Sequence, residues 1–218
     1  MTSDKYSSNI FVWTSSHGRD HHFLPFWLKK KFELSPFEKP PKVIAKSGGR
    51  IDACLVHEIT CKAIEISPHP QYHFLFYGDN NMRPNREDSE ETFDVLQYFE
   101  ELISNFSNFS NCHLVISSII PCPLTDPASK GKFQSFNESL IELINHENAR
   151  GFQRVSFLNL NKTFLFQGEI QDEEEMFNPD GIHLSSRGAL MLADRILEHL
   201  RILPSNLDFF KKAKVLRK

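Results

Sequence analysis

The feature that most constrains this chain is an alternation between short apolar runs and segments whose apolar residues recur at helical spacing. Five runs have the length and composition of buried strands, namely 9–13, 42–45, 73–77, 113–117 and 155–160. Strands that alternate with helices pair in parallel most simply, because each helix returns the chain across the sheet. The pattern therefore predicts a three-layer α/β/α fold, with helices on both faces of a mostly parallel five-stranded sheet.

The helices are marked by apolar residues three and four positions apart. Such stripes fall in 19–32, 51–59, 93–106, 133–143 and 189–203. Asp88 and Glu91 have the spacing of a capping box ahead of the third stripe, and Ser185 or Ser186 is suited to cap the last helix. These signals predict a helix between every two successive strands and one after the last strand.

Length and composition limit the domain organisation and the class of protein. The 218 residues fit one domain, which we place at 8–204, followed by a basic tail at 205–218. A formal net charge of -3 argues against a molecule built as a whole to bind nucleic acid. Four cysteines without a C-x-x-C pair do not make a disulfide framework. Because we find neither a signal-peptide pattern nor a run of about 20 apolar residues, we expect a cytoplasmic protein without a membrane span.

Chemically useful residues follow the strands, at the sheet edge where ligands bind in such folds. Ser16 follows the first strand, Gly48 the second and Asn80 the third. Asp180 and His183 stand ahead of the last helix. A serine hydroxyl needs a neighbouring base to become a nucleophile, and an acid can orient that base if it is a histidine. A glycine-turn N–H and an asparagine amide can stabilise an oxyanion, so the set predicts nucleophilic catalysis.

Each of these residues also has a purely structural interpretation. Ser16 could cap the first helix, and Asn80 could tie a loop. Asp180 and Gly181 could simply form a turn, since Asp-Gly is a strong turn dipeptide. A tight turn at Gly48 is compatible with a donor role for its N–H. The combination of residues, rather than any single one, carries the catalytic hypothesis.

Three nearby histidines raise the question of a metal site. His17 and His21 are four residues apart, and His22 follows them. No carboxylate or cysteine completes this set at the spacing typical of zinc sites, so we predict no metal.

Four segments resemble, in order and spacing, the signature blocks of the SGNH/GDSL hydrolase family. They are TSSH, KSGGRID, GDNN and DGIHLSSRG, and the likeness spans 10–200. The sequence departs from the family where Thr14 and Ser15 replace the usual Gly-Asp before the serine. It departs again where Asn81 stands in place of the frequent Asp.

The resemblance implies a flavodoxin-like α/β/α fold and a role for each matched residue. Ser16 would be the nucleophile, His183 the base and Asp180 the acid that orients the base. The oxyanion hole would consist of the N–H groups of Ser16 and Gly48 and the side-chain amide of Asn80.

The activity implied is hydrolysis of a carboxyl ester through an acyl-Ser16 intermediate. The substrate would be a small molecule or an acylated ester, and no cofactor would be needed. Candidate substrate contacts surround the expected site, namely His17, Arg19, Gly49, Arg50 and Asn81. The first block also resembles, more weakly, the esterase modules of LINE-type retrotransposons.

An inert SGNH-like module that binds RNA or a protein partner is the alternative. The SGNH-like domain of the germline protein Oskar, which this chain weakly resembles, has lost its active site and binds RNA. The altered first block and the local basic clusters favour this alternative, whereas the presence of Ser16, Asp180 and His183 favours an enzyme. The sequence leaves the oligomeric state open.

Overall fold

The computed structural model describes residues 9–15, 23–35, 39–66, 70–82, 90–151, 154–166 and 168–203. At its centre lie five strands: β1 (Asn9–Thr14), β2 (Lys42–Ala45), β3 (Gln71–Phe76), β4 (Cys112–Ser117) and β5 (Val155–Leu158). They form one sheet in the order β2-β1-β3-β4-β5, and every neighbouring pair is parallel. This is the flavodoxin-like strand order.

Helices cover both faces of the sheet. One face carries α1 (Phe23–Glu33) and α7 (Ser186–Ile202), and the other carries α2 (Ala53–Ile66), α3 (Thr92–Ser107) and α4 (Pro127–Ala149). Between β5 and α7 the chain forms α5 (Asn161–Phe164), β6 (Leu165–Phe166), β7 (Glu169–Ile170) and α6 (Glu173–Met176). Within the described ranges, no helix is both long enough and apolar enough to cross a bilayer.

Successive side chains of β1 alternate between the two faces of the sheet and pack against both helical layers. Phe11 and Trp13 pack into the core beneath α2, α3 and α4, whereas Ile10 and Val12 pack into the core beneath α1 and α7. All four side chains are buried because successive residues of a strand point to opposite faces, and both faces are covered. The predicted three-layer α/β/α fold is therefore confirmed.

The elements differ from the sequence prediction mainly at their ends. All five strands are present, and the sheet is wholly rather than mostly parallel. The capping box predicted at Asp88 and Glu91 is wrong, since α3 begins at Thr92 with Glu91 itself at the N-cap position and no side-chain cap. Ser185 does cap α7, where its side chain accepts a hydrogen bond from the Gly188 N–H. The basic tail at 205–218 lies outside the described residues.

Two imidazoles, those of His73 and His199, are buried, and that of His113 is half-buried. His73 accepts a hydrogen bond from the Trp13 indole at 3.1 Å, and its second ring nitrogen donates to the Gln71 side chain at 2.9 Å. His113 and His199 both lie against the Ser156 hydroxyl, at 3.0 and 2.8 Å. Burial lowers the pKa of His73 to about 3 and the pKa of His113 and of His199 to about 4.

We expect the free energy of unfolding to decrease as the pH falls from 6.5 toward 4. In this range the unfolded chain binds protons at these histidines and the folded chain does not. The contribution of the three neutral histidines to the free energy of unfolding is therefore complete only above pH 6.5. The decrease should reach up to about 1.4 kcal/mol per pH unit for each group. Urea denaturation between about pH 7.5 and 5 measures it, because most carboxylates stay ionised there. Equal free energies across that interval would contradict the prediction.

Candidate active site

The carboxyl ends of β1 and β3 lie side by side in the sheet, where the chain connections diverge to opposite faces. The end of β1 is fixed because the Thr14 carbonyl accepts hydrogen bonds from the Lys46 N–H at 3.0 Å and the Tyr77 hydroxyl at 2.7 Å. The predicted residues Ser16, His17 and Arg19 follow this anchored end directly and lie outside the described residues.

Asp180 and His183 form a hydrogen-bonded pair in the loop before α7. The His183 Nδ1 lies 2.7 Å from Asp180 Oδ2, and Asp180 Oδ1 accepts the backbone N–H groups of Ile182 and His183, both at 2.9 Å. Gly181 has a φ of 64°, a left-handed conformation that glycine adopts at little cost. Asp180 and Gly181 thus form a turn, and the same turn brings the Asp180 carboxylate against the His183 ring.

The hydrogen bonds around Asp180 keep its carboxylate ionised and favour one tautomer of a neutral His183 ring. Partial burial raises the pKa of Asp180, but hydrogen bonds from His183 and from the Ile182 N–H outweigh it and hold the pKa at about 2. An ionised carboxylate accepts only, so the proton of a neutral His183 ring resides on Nδ1. The Nε2 atom then has the lone pair that a general base requires.

Gly48 occupies a tight turn after β2, as the sequence predicts. The Gly49 N–H donates to the Lys46 carbonyl at 3.0 Å, and Gly48 has a φ of 60°. In the described part of the chain, the Gly48 N–H has no acceptor. Asn80 donates one of its two amide hydrogens to the Gly49 carbonyl at 3.0 Å, which brings the loop after β3 onto this turn. Two predicted oxyanion donors are therefore adjacent to each other.

Asn81 and Arg50 have structural partners. The buried Asn81 amide donates to the Ile51 carbonyl at 2.8 Å and to Glu90 at 3.0 Å, and its oxygen accepts the Ile51 N–H at 3.0 Å. Arg50 forms an ion pair with Glu90 at 2.6 Å. Both amide hydrogens of Asn81 are occupied, so this geometry gives no support to the predicted substrate contact at Asn81.

A pocket lies beside these residues, between the carboxyl edge of the sheet, the His183 loop and α7. It encloses about 610 Å³ of empty space, part of it open to solvent. Ser117 and Ser118 at the end of β4 contribute to its lining, although neither was among the predicted site residues. Ser16 and Asn80 were predicted because they are polar residues next to the end of a strand. The same criterion identifies these two serines. Apolar side chains form most of the wall, namely Phe76, Ile119, Ile120, Leu160, Phe177, Ile182, Leu184 and Leu192.

Metal ligands do not gather in the described part of the chain. In the ranges that the structure covers, no group of three or more His, Cys, Asp or Glu side chains could hold a metal ion. His17, His21 and His22 lie outside those ranges.

The strand order defines a flavodoxin-like α/β/α fold, and the candidate site lies at its topological switch point. No protein-family model matches the sequence, and no curated protein matches it. Solved structures with similar folds show which hydrolases share this architecture. A lipolytic protein of the G-D-S-L family from Veillonella parvula has a TM-score of 0.67 at 16% identity, over 90% of this chain and 100% of that one.

Two esterases have similar folds. The acetyl xylan esterase AlAXEase has a TM-score of 0.66 at 14% identity, over 88% of this chain and 98% of its own. A family 3 carbohydrate esterase from Clostridium thermocellum has a TM-score of 0.60 at 15% identity, over 91% and 98% of the two chains. The fold of this protein is that of the SGNH/GDSL hydrolases.

Proposed function

We propose that the chain is a serine esterase that cleaves a carboxyl ester through an acyl-Ser16 intermediate. The observation that carries this proposal is the 2.7 Å contact between Asp180 Oδ2 and His183 Nδ1, in a loop whose residues Ile182 and Leu184 line an open pocket. The esterases among the structural neighbours add support.

In the proposed reaction, Ser16 Oγ attacks the carbonyl carbon of the ester while His183 Nε2 takes the hydroxyl proton. Asp180 stabilises the imidazolium that results. The negative charge on the former carbonyl oxygen is met by the N–H groups of Ser16 and Gly48 and by the second amide hydrogen of Asn80. His183 then passes the proton to the departing alcohol, and the acyl group remains on Ser16.

The second half of the reaction releases the acid. Water attacks the acyl carbon, His183 accepts its proton, and the tetrahedral intermediate collapses as Ser16 Oγ leaves with that proton. His17, Arg19, Gly49 and Arg50 remain candidate contacts for the substrate near the nucleophile.

The test combines turnover with covalent labelling of purified protein. We expect hydrolysis of p-nitrophenyl acetate and labelling of Ser16 by a fluorophosphonate, identified by peptide mass spectrometry. The Ser16→Ala variant controls for other reactive side chains and should show neither. Absence of both signals in folded wild-type protein would overturn the esterase proposal in favour of the inert module that binds RNA or protein.

A further inference from the structure

Helix α1 carries aromatic side chains on the face that points away from the protein core. Its inner face packs Leu24, Leu28 and Phe32 into the core, and these side chains are at most 1% exposed. Phe23 and Phe26 are three residues apart and therefore neighbours on the helix surface, and they are 41% and 57% exposed. The outer face of a surface helix is normally polar. Two adjacent exposed phenyl rings therefore indicate a surface that binds a partner.

Lysines add positive charge to the same outer face. The Lys30 Nζ lies 5.8 Å from the centre of the Phe26 ring and 5.2 Å from that of Trp27, and Lys29 is exposed beside it. With three lysines against one glutamate, α1 has a net charge of +2, in a chain whose formal net charge is -3. Phe23, Phe26, Lys29 and Lys30 thus form an aromatic-basic face on α1.

The combination of phenyl rings and lysines indicates the chemistry of the partner. It is the pattern of helices that lie in the surface of an anionic bilayer, where the rings enter the boundary of the acyl chains. The long lysine side chains keep their ammonium groups at the level of the phosphates. Phe93 at the start of α3 is also exposed, but its neighbours Glu91 and Asp94 are acidic. An anionic lipid surface therefore favours α1 and disfavours the start of α3.

The position of α1 relates this face to the candidate active site. The Trp27 indole donates to the Ser186 hydroxyl at 3.1 Å, which joins the second turn of α1 to the first residue of α7. Ser186 follows His183 by three residues. A lipid surface bound to α1 would therefore lie close to the loop that carries His183.

We propose that the aromatic-basic face of α1 docks the protein on an anionic lipid surface. The two phenyl rings lie at the boundary between headgroups and acyl chains, and Lys29 and Lys30 lie near the lipid phosphates. Binding of this kind is peripheral and needs no membrane-spanning helix. It requires no turnover, so its test is independent of the esterase proposal.

The test is co-sedimentation of the full chain with vesicles of phosphatidylcholine alone and with about one-third phosphatidylglycerol. We expect the wild type to bind the anionic vesicles about tenfold or more tightly than the neutral ones. Phe26→Ser should weaken binding to the anionic vesicles about tenfold, because one phenyl ring loses its burial. Lys29→Gln and Lys30→Gln should each weaken it about fivefold. All variants retain the basic tail at 205–218, so its attraction for anionic lipid is common to them.

Phe93→Ser is the matched control, because Phe93 is an exposed phenylalanine in the first turn of a helix with acidic neighbours. It should leave vesicle binding unchanged, and thermal melting checks that every variant is folded. Wild-type protein that does not bind the anionic vesicles would overturn the proposal. So would binding that Phe26→Ser leaves intact, or an equal loss in Phe93→Ser. A dimer in sedimentation velocity that Phe26→Ser dissociates, without vesicle binding, would overturn it in favour of a second copy on this face.

Discussion

Replacing Asp180 with Asn is expected to lower kcat for ester hydrolysis about 10⁴-fold. The Asn Oδ1 can still accept the backbone N–H groups of Ile182 and His183, so the loop keeps its shape. The amide nitrogen, however, would donate to His183 Nδ1 where the carboxylate now accepts from it. The ring proton would then reside on Nε2, and His183 could no longer take a proton from Ser16.

Asp126→Asn is a close control for this substitution. Asp126 also accepts backbone N–H groups two and three residues ahead, those of Ala128 and Ser129. It caps α4, however, and within the described residues its side chain pairs with the Ser129 hydroxyl rather than with a histidine. The Asp126→Asn substitution should leave kcat within about threefold of the wild-type value. Steady-state kinetics with p-nitrophenyl acetate compares the variants, and thermal melting checks their folding. A loss of less than tenfold at Asp180 would contradict its role as the orienting acid.

Gly188→Ala is expected to lower the free energy of unfolding by about 3 kcal/mol or more. A Cβ atom at Gly188 would lie 2.2 Å from the Met176 carbonyl oxygen and 3.1 Å from Leu184 Cδ2. The same carbonyl accepts the Ser185 N–H at 2.9 Å, so the clash falls on the backbone that holds the ends of the His183 loop together. Relief of the clash requires movement of α7 away from α6 or distortion of that loop.

Gly131→Ala provides the contrast, since Gly131 also lies within a helix but a Cβ there would meet nothing within 4 Å. It should stabilise the protein by about 0.5–1 kcal/mol, because alanine loses less backbone freedom on folding. Urea denaturation of both variants gives the midpoint concentration of the unfolding transition and its m-value, and from them the free energy of unfolding. A Gly188→Ala variant as stable as wild type would mean that α6 and α7 are not packed at this distance.

The fold was largely predictable because the three central strands of the sheet, β1, β3 and β4, are largely buried on both faces. Such strands are continuous apolar runs, and they stand out against the helical stripes between them. The elements between β5 and α7 were not predicted, since helices of four residues and strands of two are too short to show a period. The start of α4 was missed because its first turn is polar, although Asp126 and Pro127 are a favoured pair at a helix start.

The candidate site was predictable where its geometry is local. Asp180 and His183 are three residues apart, so one turn brings them together. The partners of Arg50 and Asn81 were not predictable, because Glu90 is 40 residues from Arg50 and Ile51 is 30 residues from Asn81. The pocket combines side chains from several separate segments, and its volume cannot be deduced from any one of them. The catalytic role of Ser16 stays a prediction.

The loop that carries His183 also supplies part of the pocket wall, since its neighbours Ile182 and Leu184 both line the cavity. In the proposed esterase, chain-length preference and reaction rate would therefore depend on one short stretch of backbone. A change of size at either neighbour would move the imidazole along with the wall, and selection for a new acyl group there would lower turnover. Phe76 and Leu192 line the same cavity from β3 and α7, outside this loop. In the proposed esterase, these two positions are where the substrate range could change without disturbing the proton transfer.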